Sequence, residues 1–224
     1  MPKEREALKA GLSQSDVVKL YNRLSRVYDY WGYLTESKAR QRSLELADIK
    51  DGQRVLEVAA GTGLAFVEAV KRNPNGRNIG IDISERMLAR AEKRLRGVGC
   101  SSYELTVGSA LSIQEEDNYI DVLLNSYMFD LLEEKVWPKV LNEFQRVLKP
   151  GGRLVLVNMT FGERPGSGIY EGLYRLSPSL VGGCRGVRLS DPLEHHGFDV
   201  KLREYCQQMF FPSEVILATK NHIR

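Results

Sequence analysis

Residues 55–63 read Val-Leu-Glu-Val-Ala-Ala-Gly-Thr-Gly, and the next apolar run of the chain ends at Asp82. A short apolar run, a turn of small residues and a helical pattern together predict a strand, a tight turn and a helix. Such a turn lets a ligand approach the backbone closely. An acidic residue roughly 20 positions further on can accept hydrogen bonds from ribose hydroxyls. The stretch therefore predicts a site for a ligand that contains a nucleoside.

The glycine turn does not have the features of a phosphate-binding loop. A dinucleotide site requires a third small residue, but Phe66 stands at that position, and the chain has no Gly-Lys-Ser or Gly-Lys-Thr triplet. Glu57, just inside the predicted strand end, would repel a phosphate and would attract an ammonium group. S-adenosylmethionine carries an ammonium group and a ribose but no phosphate, so the residues favour it as the ligand.

Four motifs, in this order along the chain, resemble those of class I S-adenosylmethionine-dependent methyltransferases. Residues 57–63 (Glu-x-Ala-x-Gly-x-Gly) are similar to their first motif, and Asp82 matches the acidic residue that closes their second strand. Residues 108–110 (Gly-Ser-Ala) stand where many members have Gly-Asp-Ala, and residues 148–154 resemble the turn before the fifth strand. The resemblance implies an enzyme that uses S-adenosylmethionine as its cofactor.

Apolar patterns of strand and helix alternate through the middle of the chain. This alternation predicts an α/β fold with a doubly wound, mostly parallel sheet and helices on both faces. The resemblance implies seven strands with an antiparallel C-terminal strand. The predicted strands lie at 54–58, 78–81, 103–107, 120–124, 153–157, 200–205 and 215–219, and the predicted helices at 37–47, 65–71, 85–95, 137–148 and 191–196.

The chain length fits a single methyltransferase domain of 224 residues. We divide it into an N-terminal helical cap at 1–48, a cofactor-binding core at 49–158, a substrate-loop insertion at 159–190 and C-terminal strands at 191–224. The insertion is predicted as a long connection rich in glycine and proline, and a connection of that length is usually functional.

Twelve residues are predicted to bind the cofactor. Asp82 is assigned to the ribose hydroxyls, although it also stands where a helix N-cap would stand. Ile83 and Met87 would flank the adenine by analogy with the family, or would belong to the core. The predicted residues are Tyr21, Tyr28, Glu57, Ala59, Gly61, Gly63, Asp82, Ile83, Met87, Ser109, Ala110 and Asn125.

Two residues after the fourth predicted strand, Tyr127 and Asp130, are the candidates for catalysis. Asp130 would orient or deprotonate the acceptor, or else would cap the helix that follows. Methyl transfer from a sulfonium mainly requires positioning, so a base matters only for an acceptor that arrives protonated. The three histidines lack the spacing of metal ligands, so no metal is predicted.

The composition is that of an ordinary globular protein, with 42% apolar residues, 27% charged residues and a net charge of +3. So small a net charge gives no support for nucleic acid as a partner. Three cysteines without a Cys-x-x-Cys pair, and an N-terminus without a signal-peptide pattern, predict a cytoplasmic protein. The sequence leaves open peripheral contact with a membrane and the choice between a monomer and a homodimer.

The substrate prediction starts from residues 28–31 (Tyr-Asp-Tyr-Trp), which resemble a segment of the methyltransferases of quinone biosynthesis. This resemblance and the apolar insertion predict a small, lipophilic acceptor such as a quinone-type ring. One alternative is a phospholipid or small-amine N-methyltransferase, in which Tyr127, Asp130 and Tyr174 would face a cationic amine. The other is a protein that binds S-adenosylmethionine without catalysis.

Overall fold

The computed structural model describes residues 35–163, 168–177 and 183–221. The predictions for Tyr21 and Tyr28 lie outside the described residues. The described helices are α1 (35–47), α2 (Leu64–Arg72), α3 (Glu85–Gly97), α4 (Trp137–Val147), α5 (Gly168–Leu176) and α6 (Ser190–His195). The strands are β1 (Arg54–Val58), β2 (Arg77–Asp82), β3 (Glu104–Val107), β4 (Ile120–Ser126), β5 (Leu148–Met159), β6 (Phe198–Gln208) and β7 (Phe211–Lys220).

The seven strands form one sheet in the order β3-β2-β1-β4-β5-β7-β6. β1 to β5 run parallel to one another, whereas β7 pairs antiparallel with both β5 and β6. The predicted fold class is therefore confirmed. The carboxyl ends of β1, β2 and β4 lie at one edge of the sheet, where ligands bind in open α/β sheets.

Helices cover both faces of the sheet, and each face has its own apolar core. On one face, Leu56 and Leu123 pack with Phe144 of α4, whose ring meets the ring of Phe129 edge-on at 5.9 Å between centroids. On the other face, Val122 and Val155 belong to the cluster that contains α1 and α5. Strands that are buried on both faces have continuous apolar sequences, which explains why their positions could be predicted.

The predicted insertion contains a helix that the sequence analysis did not identify. Tyr170 and Tyr174 lie one turn apart on α5 and are buried, and the ring of Tyr170 packs against Phe211 of β7 at 5.2 Å. The glycines within and around α5 obscure its apolar period in the sequence. The division of the chain into cap, core, insertion and C-terminal strands stays a prediction. Among the described helices, none combines the length and the apolar character needed to cross a bilayer.

Candidate functional site

A cavity of about 280 Å³ opens at the carboxyl ends of β1, β2 and β4. Eight of the predicted site residues line it: Ala59, Gly61, Asp82, Ile83, Met87, Ser109, Ala110 and Tyr127. The sequence analysis missed the other lining residues, which are Val58, Ser84, Gly108, Leu111, Ser126, Met128, Leu131, Leu132, Glu133, Val136 and Val140. Five of these (Met128, Leu131, Leu132, Val136 and Val140) are apolar residues near the start of α4, where the sequence cannot distinguish a cavity wall from the core.

The turn after β1 brings its backbone to the cavity. Ala59 and Gly61 both have positive φ angles, of 59° and 56°. This conformation costs an alanine about 1 kcal/mol, and such strain concentrates at functional sites. A Cβ atom on Gly61 would meet only the carbonyl oxygen of Ala59, at 4.0 Å. The space beside Gly61 is therefore open to a ligand.

Gly63 packs against α3, and its predicted contact with the cofactor stays a prediction. It does not line the cavity, and a Cβ atom there would lie 2.9 Å from the Cβ atom of Ala91 on α3. Gly63 is also the N-cap residue of α2, with a φ of 77°. The absence of a side chain at this position therefore allows α2 to begin close to α3.

Replacing Gly63 by alanine should lower the free energy of unfolding by about 2–4 kcal/mol, because a strained φ adds to overpacking against Ala91. Urea denaturation would measure the loss. Gly97→Ala is the matched control, since a Cβ at Gly97, in the last turn of α3, has no neighbour within 4 Å. The control should change stability by less than about 1 kcal/mol. A Gly63→Ala protein as stable as the wild type would contradict this packing role.

The carboxylate of Asp82 connects the two turns that form the cavity floor. Its Oδ2 atom accepts a hydrogen bond from the Gly61 N–H at 2.9 Å, and its Oδ1 atom accepts one from the Ser84 N–H at 2.8 Å. Burial raises the pKa of Asp82, and these backbone donors act in the opposite direction. Each carboxylate oxygen can accept a second hydrogen bond, so ribose hydroxyls can still bind. Ser84, not Asp82, is the N-cap of α3.

Glu57 lies on β1, next to the cavity residue Val58, and does not itself line the cavity. Only 2% of its surface is exposed, and its Oε2 atom has no hydrogen-bond partner among the described residues. The pKa of Glu57 is raised to about 8, mainly by burial and also by Asp82, against the lowering effect of Arg40. A ligand ammonium would supply the positive charge that this carboxylate lacks. Glu57 and the open space at Gly61 therefore fit the ammonium and the backbone contact of S-adenosylmethionine.

One end of the cavity, which the segments after β2 and β3 form, is mostly apolar. Ile83 is 40% exposed and faces a wall that includes the buried Met87 and the side chain of Leu111. The hydroxyl of Ser109 accepts a hydrogen bond from the Leu111 N–H at 3.2 Å. This end can hold a flat aromatic base, with serine where the family often has aspartate.

Asn125 does not reach the cavity wall. Its Nδ2 atom donates to the carbonyl oxygen of Val58 at 2.8 Å, and the side chain is buried between β4 and β1. This hydrogen bond holds the end of β1, where the cavity begins, against β4. The Oδ1 atom of Asn125 is buried without a hydrogen-bond partner among the described residues, and its contact with the cofactor stays a prediction.

The two predicted catalytic residues have different surroundings. Tyr127 lines the cavity with a φ of 52°, and its hydroxyl lies 3.0 Å from the Ser213 Oγ atom inside the core. Asp130 is fully buried, does not line the cavity, and accepts a hydrogen bond from the Met159 N–H at 3.0 Å. This hydrogen bond satisfies the backbone N–H of Met159, where β5 extends past the end of β4. Asp130 does not cap the helix that follows it, because the short 3-10 helix at Glu134–Val136 and α4 have Glu133 and Val136 as N-caps.

Known proteins resemble this chain both in part of its sequence and in its fold. Residues 55–152 match the model of a family described as a methyltransferase domain. The demethylmenaquinone methyltransferase of Bacillus cytotoxicus is 34% identical over 119 residues, which cover 52% of this chain and 48% of that protein. The chain therefore spans about half the length of this curated relative.

Solved structures share the fold at low sequence identity. One is the magnesium protoporphyrin IX methyltransferase of Synechocystis PCC 6803, which was crystallised with bound S-adenosylhomocysteine (SAH). It superposes with a TM-score of 0.73 at 13% sequence identity, and the superposition covers 93% of this chain and 100% of that one. The cyclase SpnF superposes with a TM-score of 0.75 at 17% identity, over 97% and 99%. A cyclase on this fold shows that the fold alone does not determine the reaction. The chain is therefore similar to S-adenosylmethionine-dependent methyltransferases over residues 55–152 and in its fold, and it resembles the quinone-biosynthesis group.

Proposed function

We propose that this protein transfers the methyl group of S-adenosylmethionine to a quinone-type ring. The observation that carries the proposal is the combination of Asp82, the open backbone at Gly61 and the buried, unpartnered oxygen of Glu57 at one sheet edge. Similarity to demethylmenaquinone methyltransferases supports the choice of acceptor.

The roles of the residues follow from their positions. Asp82 would accept hydrogen bonds from the two ribose hydroxyls, and Glu57 would pair with the ammonium group. Ile83 and Met87 would hold the adenine. When bound, the cofactor supplies a methyl group on a positively charged sulfur. The protein then has to position the acceptor and exclude water, since the leaving group is neutral.

Aromatic side chains beyond β4 and β5 favour a ring as the acceptor. Tyr127, Tyr170, Tyr174 and Phe211 belong to one buried cluster that joins the loop after β4 to α5 and β7. Tyr127 also lines the cofactor cavity, so this cluster lies on the side from which an acceptor would approach the methyl group. Offset and edge-on packing of aromatic rings would stabilise a bound ring.

A small amine is the second candidate for the acceptor. The carboxyl group of Asp130 lies near Tyr170 and raises the pKa of its hydroxyl, so a carboxylate and aromatic rings occur together here. That combination recognises ammonium groups. The sequence similarity favours the ring, and the test below includes both.

The test is methyl transfer from isotope-labelled S-adenosylmethionine by the purified full-length protein. One reaction contains a short-chain demethylated naphthoquinol under reducing conditions, and the other contains ethanolamine or phosphoethanolamine; mass spectrometry identifies the product. We expect label on the ring. Label on the amine would overturn the acceptor, and cofactor binding without transfer to any acceptor would support the non-catalytic alternative. The Asp82→Ala protein is the control for transfer that does not depend on the site.

A further inference from the structure

One wall of the cofactor cavity is a segment without regular secondary structure, between β4 and the 3-10 helix before α4. We call residues 128–133 the wall segment. Four of them, Met128, Leu131, Leu132 and Glu133, line the cavity. Because the segment belongs to no helix or strand, its position depends on where its backbone groups find hydrogen-bond partners.

A residue far along the chain, Arg185, donates hydrogen bonds to two carbonyl groups of the wall segment. Its backbone N–H donates to the Asp130 carbonyl oxygen at 3.2 Å, and its Nη2 atom donates to the Leu132 carbonyl oxygen at 2.9 Å. The Trp137 Nε1 atom donates to a third carbonyl, that of Phe129, at 3.2 Å. Arg185 therefore connects the wall segment to a different part of the fold.

The backbone on both sides of Arg185 is itself held in place. On one side, the hydroxyl of Tyr170 on α5 donates a hydrogen bond to the Cys184 carbonyl oxygen. On the other side, the Val187 N–H donates to the carbonyl oxygen of Met159, the last residue of β5, at 3.0 Å. Arg185 thus extends from a fixed support, which α5 and the sheet provide, to the wall of the cavity.

The side chain of Arg185 is buried, with only 2% of its surface exposed. Its guanidinium carbon lies 5.6 Å from the centroid of the Trp137 ring, and its Nη2 atom lies 3.7 Å from an oxygen of Glu134, which is 58% exposed. Burying a charge is costly, and an apolar side chain of similar volume often gives equal or greater stability. An apolar side chain cannot, however, donate a hydrogen bond to the Leu132 carbonyl group. The arginine therefore suits the position of the wall segment more than the packing of the core.

We propose that Arg185 is a positioning residue for the cofactor site, which holds the wall segment in the conformation that encloses the cofactor. This inference rests on the proposed function. Arg185 does not line the cavity and acts through Leu132 and its neighbours. Without Arg185 the wall segment has other conformations open to it. The apparent Kd for the cofactor then rises by the factor by which the binding conformation is depleted.

Calorimetric titration with SAH measures this effect. Arg185→Met retains an unbranched side chain and loses the guanidinium. Its Kd should rise at least about tenfold, because loss of a hydrogen bond from a charged donor shifts an equilibrium by roughly that factor. Arg185→Lys keeps the charge but not the planar group, so its Kd should be intermediate. Arg153→Met is the matched control, because Arg153 donates to the Asp48 carbonyl oxygen at 3.2 Å, before β1 and away from the cavity. The control should bind SAH like the wild type.

Hydrogen exchange detected by mass spectrometry reports on the wall segment without any ligand. Peptides that cover residues 128–133 should exchange faster in Arg185→Met than in the wild type, while peptides from β1 and β4 should keep their protection. In the methyl-transfer assay, the KM for S-adenosylmethionine should rise and kcat at saturating cofactor should stay near the wild-type value. This division is expected because Arg185 is not placed at the reacting atoms.

A folded Arg185→Met protein that loses stability in urea but binds SAH with the wild-type Kd would overturn the proposal, since Arg185 would then support only the fold. Wild-type exchange of residues 128–133 would overturn it as well. If Arg185→Met does not fold, Arg185→Lys decides, and wild-type values of both Kd and exchange in that variant would reject the role. If the wild type does not bind SAH, the proposed function has failed and the role of Arg185 fails with it. If the wild type binds SAH but methylates no acceptor, only the proposed function has failed, and the Kd values decide the role of Arg185.

Discussion

Replacing Asp82 by alanine should weaken the binding of S-adenosylhomocysteine by at least about 100-fold. Two hydrogen bonds from ribose hydroxyls to a carboxylate contribute about 1.5–3 kcal/mol each. The substitution also removes the acceptor for the Gly61 and Ser84 N–H groups, so both turns of the cavity floor lose their common anchor. Isothermal titration calorimetry would measure the change in Kd.

Two further variants show whether that loss is specific. Asp82→Asn should bind with intermediate affinity, because its amide retains one oxygen acceptor but presents an NH₂ group to one of the two backbone donors. Asp199→Asn, at an exposed position on β6, should bind like the wild type. A Kd within threefold of the wild-type value for Asp82→Ala would show that the nucleoside does not bind at this carboxylate.

The protein without its cofactor should become less stable as the pH rises from about 4.5 to about 8. The pKa of Glu57 is about 8 in the folded state and near its usual value when unfolded, so the folded state binds more protons in this range. The stability that Glu57 contributes is therefore complete below its unfolded pKa and is lost as the pH rises through 8. The loss from Glu57 alone amounts to at most about 5 kcal/mol.

Urea denaturation of the wild type, Glu57→Gln and the exposed control Glu116→Gln across this pH range would isolate that contribution. The Glu57→Gln protein should show a shallower decline of stability with pH, whereas the control should follow the wild type. Cofactor binding near pH 7 should release up to about one proton, because the ligand ammonium favours the ionised form of Glu57. Calorimetry in buffers with different ionisation enthalpies would detect that proton. An unchanged slope in Glu57→Gln would contradict the role of this residue.

The parts of the site that lie on buried strands could be predicted from the sequence. β1, β2 and β4 are buried on both faces, so their apolar runs indicated both the strands and the turns after them. Asp82 and Gly61 were found because a strand end followed by small or acidic residues is a local pattern. These predictions needed no knowledge of which elements meet in space.

The remaining features depend on contacts between distant parts of the chain. The packing of Gly63 is determined by Ala91 on another helix. Asn125 donates a hydrogen bond to the end of the neighbouring strand β1 and does not line the cavity. Asp130 looks like a helix cap in the sequence, but in the structure its carboxylate accepts the hydrogen bond from the Met159 N–H at the end of β5.

The position of β7 has a consequence for synthesis on the ribosome. β7 follows β6 in the chain, yet in the sheet it lies between β5 and β6. Until residues 211–220 have emerged, β5 presents an unpaired edge and β6 has no strand to join. Such an edge is a template for pairing with other chains. The nascent protein is therefore exposed to intermolecular association until its last described strand is available, and co-translational folding of the sheet cannot finish earlier.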